Sequence, residues 1–137
     1  MEPPAIGASA HIVKTIEMAD IEAFAAVSLD TNPMHLSAAF ARRTRYGTQI
    51  AHGMLTASLI SAVIGTKLPG PGSIWVSQSL HFLKPVFPGD TITATATVVA
   101  VNPEKALVTL RTHCANQSAE VVLDGEALIL LDTLADP

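Results

Sequence analysis

The chain has 137 residues, enough for one domain over residues 1–137 and too few for two of ordinary size. Hydrophobic residues make up 49% and charged ones only 15%, which excludes a disordered polypeptide. The net charge is -4 and the basic residues are scattered, apart from Arg42, Arg43 and Arg45, which excludes the basic stripe of a nucleic-acid surface.

His11 to Glu17 reads as a short strand, and Asp20 to Leu29 as a helix with Ile21, Phe24, Ala25 and Ser28 at three- and four-residue spacing. Pro33 bars its predecessor from helical backbone, so Asp30 to His35 is expected to be an irregular loop. Ser37 is placed to cap a short helix running through Phe40 to Arg43. Ala51 to Lys67 is the strongest helix, apolar nearly all round, with small hydroxyls at Thr56, Ser58 and Ser61. Its apolar part, Met54 to Ile64, is too short for a membrane span of about 20 residues. A helix without a charged face is expected to be enclosed.

Pro69-Gly70-Pro71-Gly72 forms a turn, and four extended segments follow: Ser73 to Lys84, Thr91 to Asn102, Lys105 to Asn116 and Ala119 to Leu131. In the second, Thr91, Thr93, Thr95 and Thr97 alternate with Ile92, Ala94, Ala96 and Val98. In the fourth, Val121, Leu123, Ala127, Ile129 and Leu131 share one face. Such alternation marks antiparallel strands with one buried face. The predicted class is α+β, a curved antiparallel sheet wrapped around the apolar helix. A mean hydropathy of +0.40 points to further apolar surface hidden in an oligomer. Cys114 is the single cysteine and no Cys/His set has zinc spacing, so no disulfide and no metal are expected. The single cysteine makes a reducing cytoplasm the expected compartment, and no secretory signal is visible at Met1-Glu2-Pro3-Pro4.

Two constellations carry chemistry. Asp30-Thr31-Asn32-Pro33-Met34-His35 holds a carboxylate, an amide and an imidazole within one short stretch. Asp30 and His35 make a candidate acid–base pair, although Asp, Asn and Pro are also ordinary turn formers. Ala51-His52-Gly53-Met54 opens the apolar helix, where an N–H group can hold an oxygen that becomes negative during reaction. On its own, this stretch is more readily read with Gly53 as a packing residue and His52 as a core or cap residue.

Ser28-Leu29-Asp30-Thr31-Asn32-Pro33-Met34-His35, then Ala51-His52-Gly53-Met54-Leu55, then Leu83-Lys84-Pro85-Val86-Phe87-Pro88-Gly89-Asp90 together resemble the MaoC-like, (R)-specific enoyl-CoA hydratase family. The resemblance runs over nearly the whole chain. It implies the hot-dog fold, a homodimer, and reversible hydration of trans-2-enoyl-CoA to (R)-3-hydroxyacyl-CoA. By the same resemblance Asp30 and His35 are the catalytic pair, Asn32 braces their loop, the Gly53 N–H holds the thioester oxygen, and Ser61 supports the site. The substrate is an acyl thioester, whose coenzyme A or carrier phosphopantetheine arm enters with it, and no cofactor is needed. Two residues depart from the family pattern: Leu29 stands where members often have Gly, and Ser37 where many have Asp.

Three alternatives remain at this level. A dehydratase acting on carrier-bound 3-hydroxyacyl thioesters uses the same chemistry. A hot-dog thioesterase is disfavoured because Met54 to Lys67 contains no acid. A non-catalytic acyl-binding module has no use for both Asp30 and His35.

Overall fold

The computed structural model describes residues 2–137. In chain order the elements are β1 (Ser9–Thr15), α1 (Met18–Ser28), α2 (Pro33–Leu36), α3 (Ala38–Ala41), α4 (Gly53–Thr66), β2 (Ser73–Gln78), β3 (His81–Phe82), β4 (Thr91–Asn102), β5 (Leu107–Ala115) and β6 (Val121–Leu131). The strands form one antiparallel sheet in the order β1-β4-β5-β6-β2, with β3 also pairing to β6. The predicted α+β architecture is the one observed.

The alternation in β4 fixes which way the sheet faces. Ile92, Ala94, Ala96 and Val98 are buried against α4, as are Val108, Leu110 and Cys114 of β5 and Ala127, Ile129 and Leu131 of β6. The small alanines let the sheet come close to α4, whose Leu55, Leu59, Ile60, Val63 and Ile64 fill the space between. Burying one such Leu or Ile side chain contributes about 1.5–3 kcal/mol.

Four expectations need correction. The segment from Ser73 to Lys84 is two strands, because the chain leaves the ladder near Ser79 and rejoins β6 at His81. It crosses tightly over Gly125, where a Cβ would lie 1.8 Å from the Ser79 carbonyl oxygen. In β6 a register shift opposite Cys114 and Ala115 turns Val121 outward and buries Val122 instead. Next, the stretch to His35 is not wholly irregular. Pro33 opens the one-turn helix α2 at a first-turn position, where its missing N–H costs nothing. Finally, α4 is enclosed on one side only, since Met54 is 55% exposed and Ser58 and Ser61 also face outward.

The end of α1 explains one departure from the family pattern. Leu29 has φ +66°, donates its N–H to the Ala25 carbonyl and closes the helix in the left-handed region that favours glycine. Its side chain is 83% exposed, so little packing offsets the strain. Leu29→Gly is therefore expected to stabilise the fold by ~0.5–1 kcal/mol. Urea unfolding checks this, and a loss of stability would mean that Leu29 has a contact outside its own chain.

Cys114 lies fully buried in β5, its Sγ 3.8 Å from the Thr56 carbonyl oxygen. Burial pushes the thiol up to about 12. It should not react with thiol reagents until the protein unfolds. The folded state holds this proton more tightly than the unfolded one, so the contribution to stability is complete below pH 9. It declines as pH rises towards about 12, by up to ~1.4 kcal/mol per pH unit. Urea unfolding of the parent and Cys114→Ala at pH 8 and pH 10 should show the steeper pH loss in the parent alone.

Candidate active site

The Asp30 loop is built by short-range side-chain bonds. Ser28 Oγ accepts the Asp30 N–H at 3.1 Å, Asp30 Oδ1 accepts the Asn32 N–H at 3.2 Å, and Asn32 Oδ1 accepts the Met34 N–H at 3.1 Å. Asn32 thereby caps α2 and sets the direction in which His35 leaves it. The Asp30 side chain remains exposed, whereas His35 is buried.

The proton positions on His35 follow from its partner. Nδ1 lies 2.7 Å from the Ile50 carbonyl oxygen, which only accepts, so Nδ1 carries the hydrogen. In the neutral ring this leaves Nε2 as a lone-pair acceptor. Gln49 ties the same turn down by donating to the His35 carbonyl at 2.7 Å.

His52 precedes α4 yet gives its N-terminus no side-chain cap. Its Nε2 instead lies 2.9 Å from the Asp30 carbonyl oxygen. The Leu55 and Thr56 N–H groups donate to the His52 carbonyl at 3.1 and 3.3 Å. The Gly53 and Met54 N–H groups have no partner among the described residues, and the positive end of the helix dipole faces the same space. A Cβ on Gly53 would come within 2.7 Å of the Phe82 ring, so glycine keeps this approach open.

Asp30, His35 and Gly53 line one cleft of about 390 Å³, together with His52, Tyr46 and Phe82. A carboxylate oxygen of Asp30 and one ring nitrogen each of His35 and His52 lie within 4.8 Å of one another. That cluster is poorly shaped for a metal ion. The two imidazole planes stack at 3.9 Å with only 28° between them. Their in-plane lone pairs do not meet within the ~2 Å of a metal–nitrogen bond. What the group offers is a place where a water can touch both a carboxylate and an imidazole nitrogen, next to a helix N-terminus that stabilises negative charge.

Ser61 is not brought to this place. It faces a second groove with Phe24, Ser58, Trp75, Gln78 and Leu80. Conversely, sequence reasoning left His52 as a core or cap residue and did not single out Tyr46 or Phe82. Nothing in the local spacing links His52 to Asp30, which lies 22 residues away.

An antiparallel sheet curled round one helix is the hot-dog fold, and here an Asp/His loop lines a cleft at the start of that helix. The chain belongs to the MaoC-like domain family, whose defining pattern matches residues 5–118. It is 53% identical over 125 residues to an (R)-specific enoyl-CoA hydratase of Rhodospirillum rubrum, covering 91% of this chain and 86% of the relative. It is 47% identical over 124 residues to a 3-hydroxybutyryl-CoA dehydratase of Methylorubrum extorquens, covering 90% and 78%. The solved (R)-hydratase of A. caviae superposes with a TM-score of 0.92 at 42% identity, over 96% of this chain and all of that one.

Proposed function

We propose that this chain catalyses the reversible hydration of trans-2-enoyl-CoA to (R)-3-hydroxyacyl-CoA. The observation that carries the reading is the Asp30 carboxylate and the His35 imidazole set in one cleft with the uncapped start of α4. The names of the relatives supply the substrate class. Asp30 and His35 hold a water between them, take its proton as the oxygen bonds to C3, and return a proton to C2. The negative charge on the thioester oxygen is met by the Gly53 N–H and the dipole of α4. No metal or redox cofactor takes part, and the coenzyme A arm arrives with the substrate. Arg42, Arg43 and Arg45 stand exposed on the segment leading to Tyr46 and are the candidates for positive charge facing its phosphates.

The deciding experiment follows loss of the enoyl-thioester absorbance with CoA and carrier-protein substrates, and determines the product's configuration. An (R)-3-hydroxyacyl product from the CoA substrate supports the reading. Free thiol without a hydroxyacyl product would indicate a thioesterase, and an (S) product or tight binding without turnover would also overturn it.

The open face of α4 belongs to the same proposal. Met54, Ser58 and Ser61 lie uncovered beside the groove lined by Trp75 and Leu80, and β2 leaves a free sheet edge with Ile74 and Val76 exposed. We expect a second copy to cover both, giving a homodimer with sheets joined edge to edge. Light scattering should find a dimer at micromolar concentration, and a stable monomer would refute it. Among the described residues no helix is long and apolar enough to cross a membrane. The cytoplasm is the compartment in which this reading places the reaction.

A further inference from the structure

Among the described residues, His52 is the one side chain that joins both halves of the Asp30/His35 pair. Its edge bonds the Asp30 main chain, with Nε2 2.9 Å from the carbonyl oxygen. Its face stacks on the His35 ring at 3.9 Å and 28°. Phe24 of α1 packs edge-on against it at 4.9 Å and 60°, which fixes the ring in place. Only 2% of His52 is exposed.

The hydrogen-bond partners give the two imidazoles opposite tautomers. The Asp30 carbonyl can only accept, so His52 carries its hydrogen on Nε2; the Ile50 carbonyl requires that His35 carry its own on Nδ1. His52 Nδ1 is then a bare lone pair, buried without any hydrogen-bond partner. His35, by contrast, keeps an unspent Nε2 within a ring that lines the cleft. One histidine has a nitrogen free for a ligand, and its neighbour spends its only hydrogen on the main chain.

We propose that His52 is a positioning residue for the hydration reaction, holding the Asp30 main chain with its Nε2–H and the His35 ring with its face. This inference rests on the hydratase reading above. The position calls for a flat ring with a donor at its far edge. Phenylalanine keeps the face and loses the donor, and glutamine keeps a donor and loses the face. A displacement near 1 Å of a reacting group costs up to about a hundredfold in rate, so a residue that never touches substrate can still control turnover.

The test has two arms. In the parent, nitrogen-15 NMR of the histidine side chains should report the Nε2–H tautomer for His52 and the Nδ1–H tautomer for His35. In the second arm, His52→Phe and His52→Gln should each lower kcat roughly tenfold to a hundredfold while KM stays within about threefold. Placed in an Asp30→Asn background, His52→Phe should add little further loss, because the group it positions is already disabled. Undiminished kcat in a folded variant, or a full additional loss in that background, would overturn the role of His52. Should both variants fail to fold, the parent's tautomers still decide: reversed tautomers in an active parent refute the inference alone. The expected tautomers in a parent that does not hydrate enoyl-CoA would instead overturn the hydratase reading.

Discussion

Asp30→Asn and His35→Gln are each expected to depress hydration by roughly two or more powers of ten, the usual scale for loss of a general acid or base. The double mutant should be little worse than either single, since two groups that share one water act as a unit. The structure separates their effects on stability. Asp30 is exposed, and asparagine keeps an oxygen for the Asn32 N–H, so Asp30→Asn should leave the fold intact. His35 is buried, stacked on His52 and bonded to the Ile50 carbonyl, so His35→Gln should also cost about 1 kcal/mol of stability. Absorbance assays with urea unfolding on all three variants check this. Near-parental turnover in Asp30→Asn would return the Asp30–His35 segment to a turn without catalytic use.

Replacing Gly53 should separate turnover from stability in the opposite way to a core mutation. A side chain at the start of α4 meets no helical clash, and valine is a better helix former than the glycine it replaces. Its Cβ, however, must push the Phe82 ring from 2.7 Å and then occupies the approach to the first N–H groups. Because Phe82 is half exposed, the ring can yield, and the loss of stability should stay near ~1 kcal/mol. Turnover should fall by about a hundredfold, the scale on which a single oxyanion donor acts. Gly53→Val combined with Phe82→Ala tells the causes apart. Restored turnover in the combination would assign the defect to Phe82 crowding and remove the oxyanion role from Gly53.

The parts of the fold legible in the sequence are those set by periodicity. The Thr/apolar alternation of β4 places Ile92, Ala94, Ala96 and Val98 inward without reference to the rest of the chain. What escaped depends on contacts between distant segments. Val121 reads as part of the inward face of β6 until the register shift opposite Cys114 turns it out. The break between β2 and β3 needs the approach of Ser79 to Gly125, far along the chain. The apolar character of α4 was plain, but composition does not say whether its own chain or another covers Met54 and Ser61.

The site divides along the same line. Asp30, Asn32 and His35 are close in sequence, and their spacing, with the resemblance, singled them out; Gly53 was marked by its place at a helix start. His52 stands next to it and reads as a core or cap residue, because its use depends on a carbonyl in another loop and a ring on another helix. Ser61 came from resemblance alone, and within this chain it faces away from the Asp30 cleft.

The sheet order also bears on how the chain is made. β4, β5 and β6 follow one another and pair as neighbours, but β1 pairs only with β4, joining Ser9 to Thr97 at a separation of 88 residues. During synthesis β1 emerges first and waits without its partner for roughly 4–18 s at ribosomal speeds of about 5–20 residues per second. A strand left unpaired that long is a template for wrong partners. Its sequence suits the wait: His11 and Lys14 break the apolar run, and Lys14 pairs with Asp20 at 3.2 Å once α1 has formed. A charge of this kind on an edge strand is a general safeguard against pairing with the wrong strand.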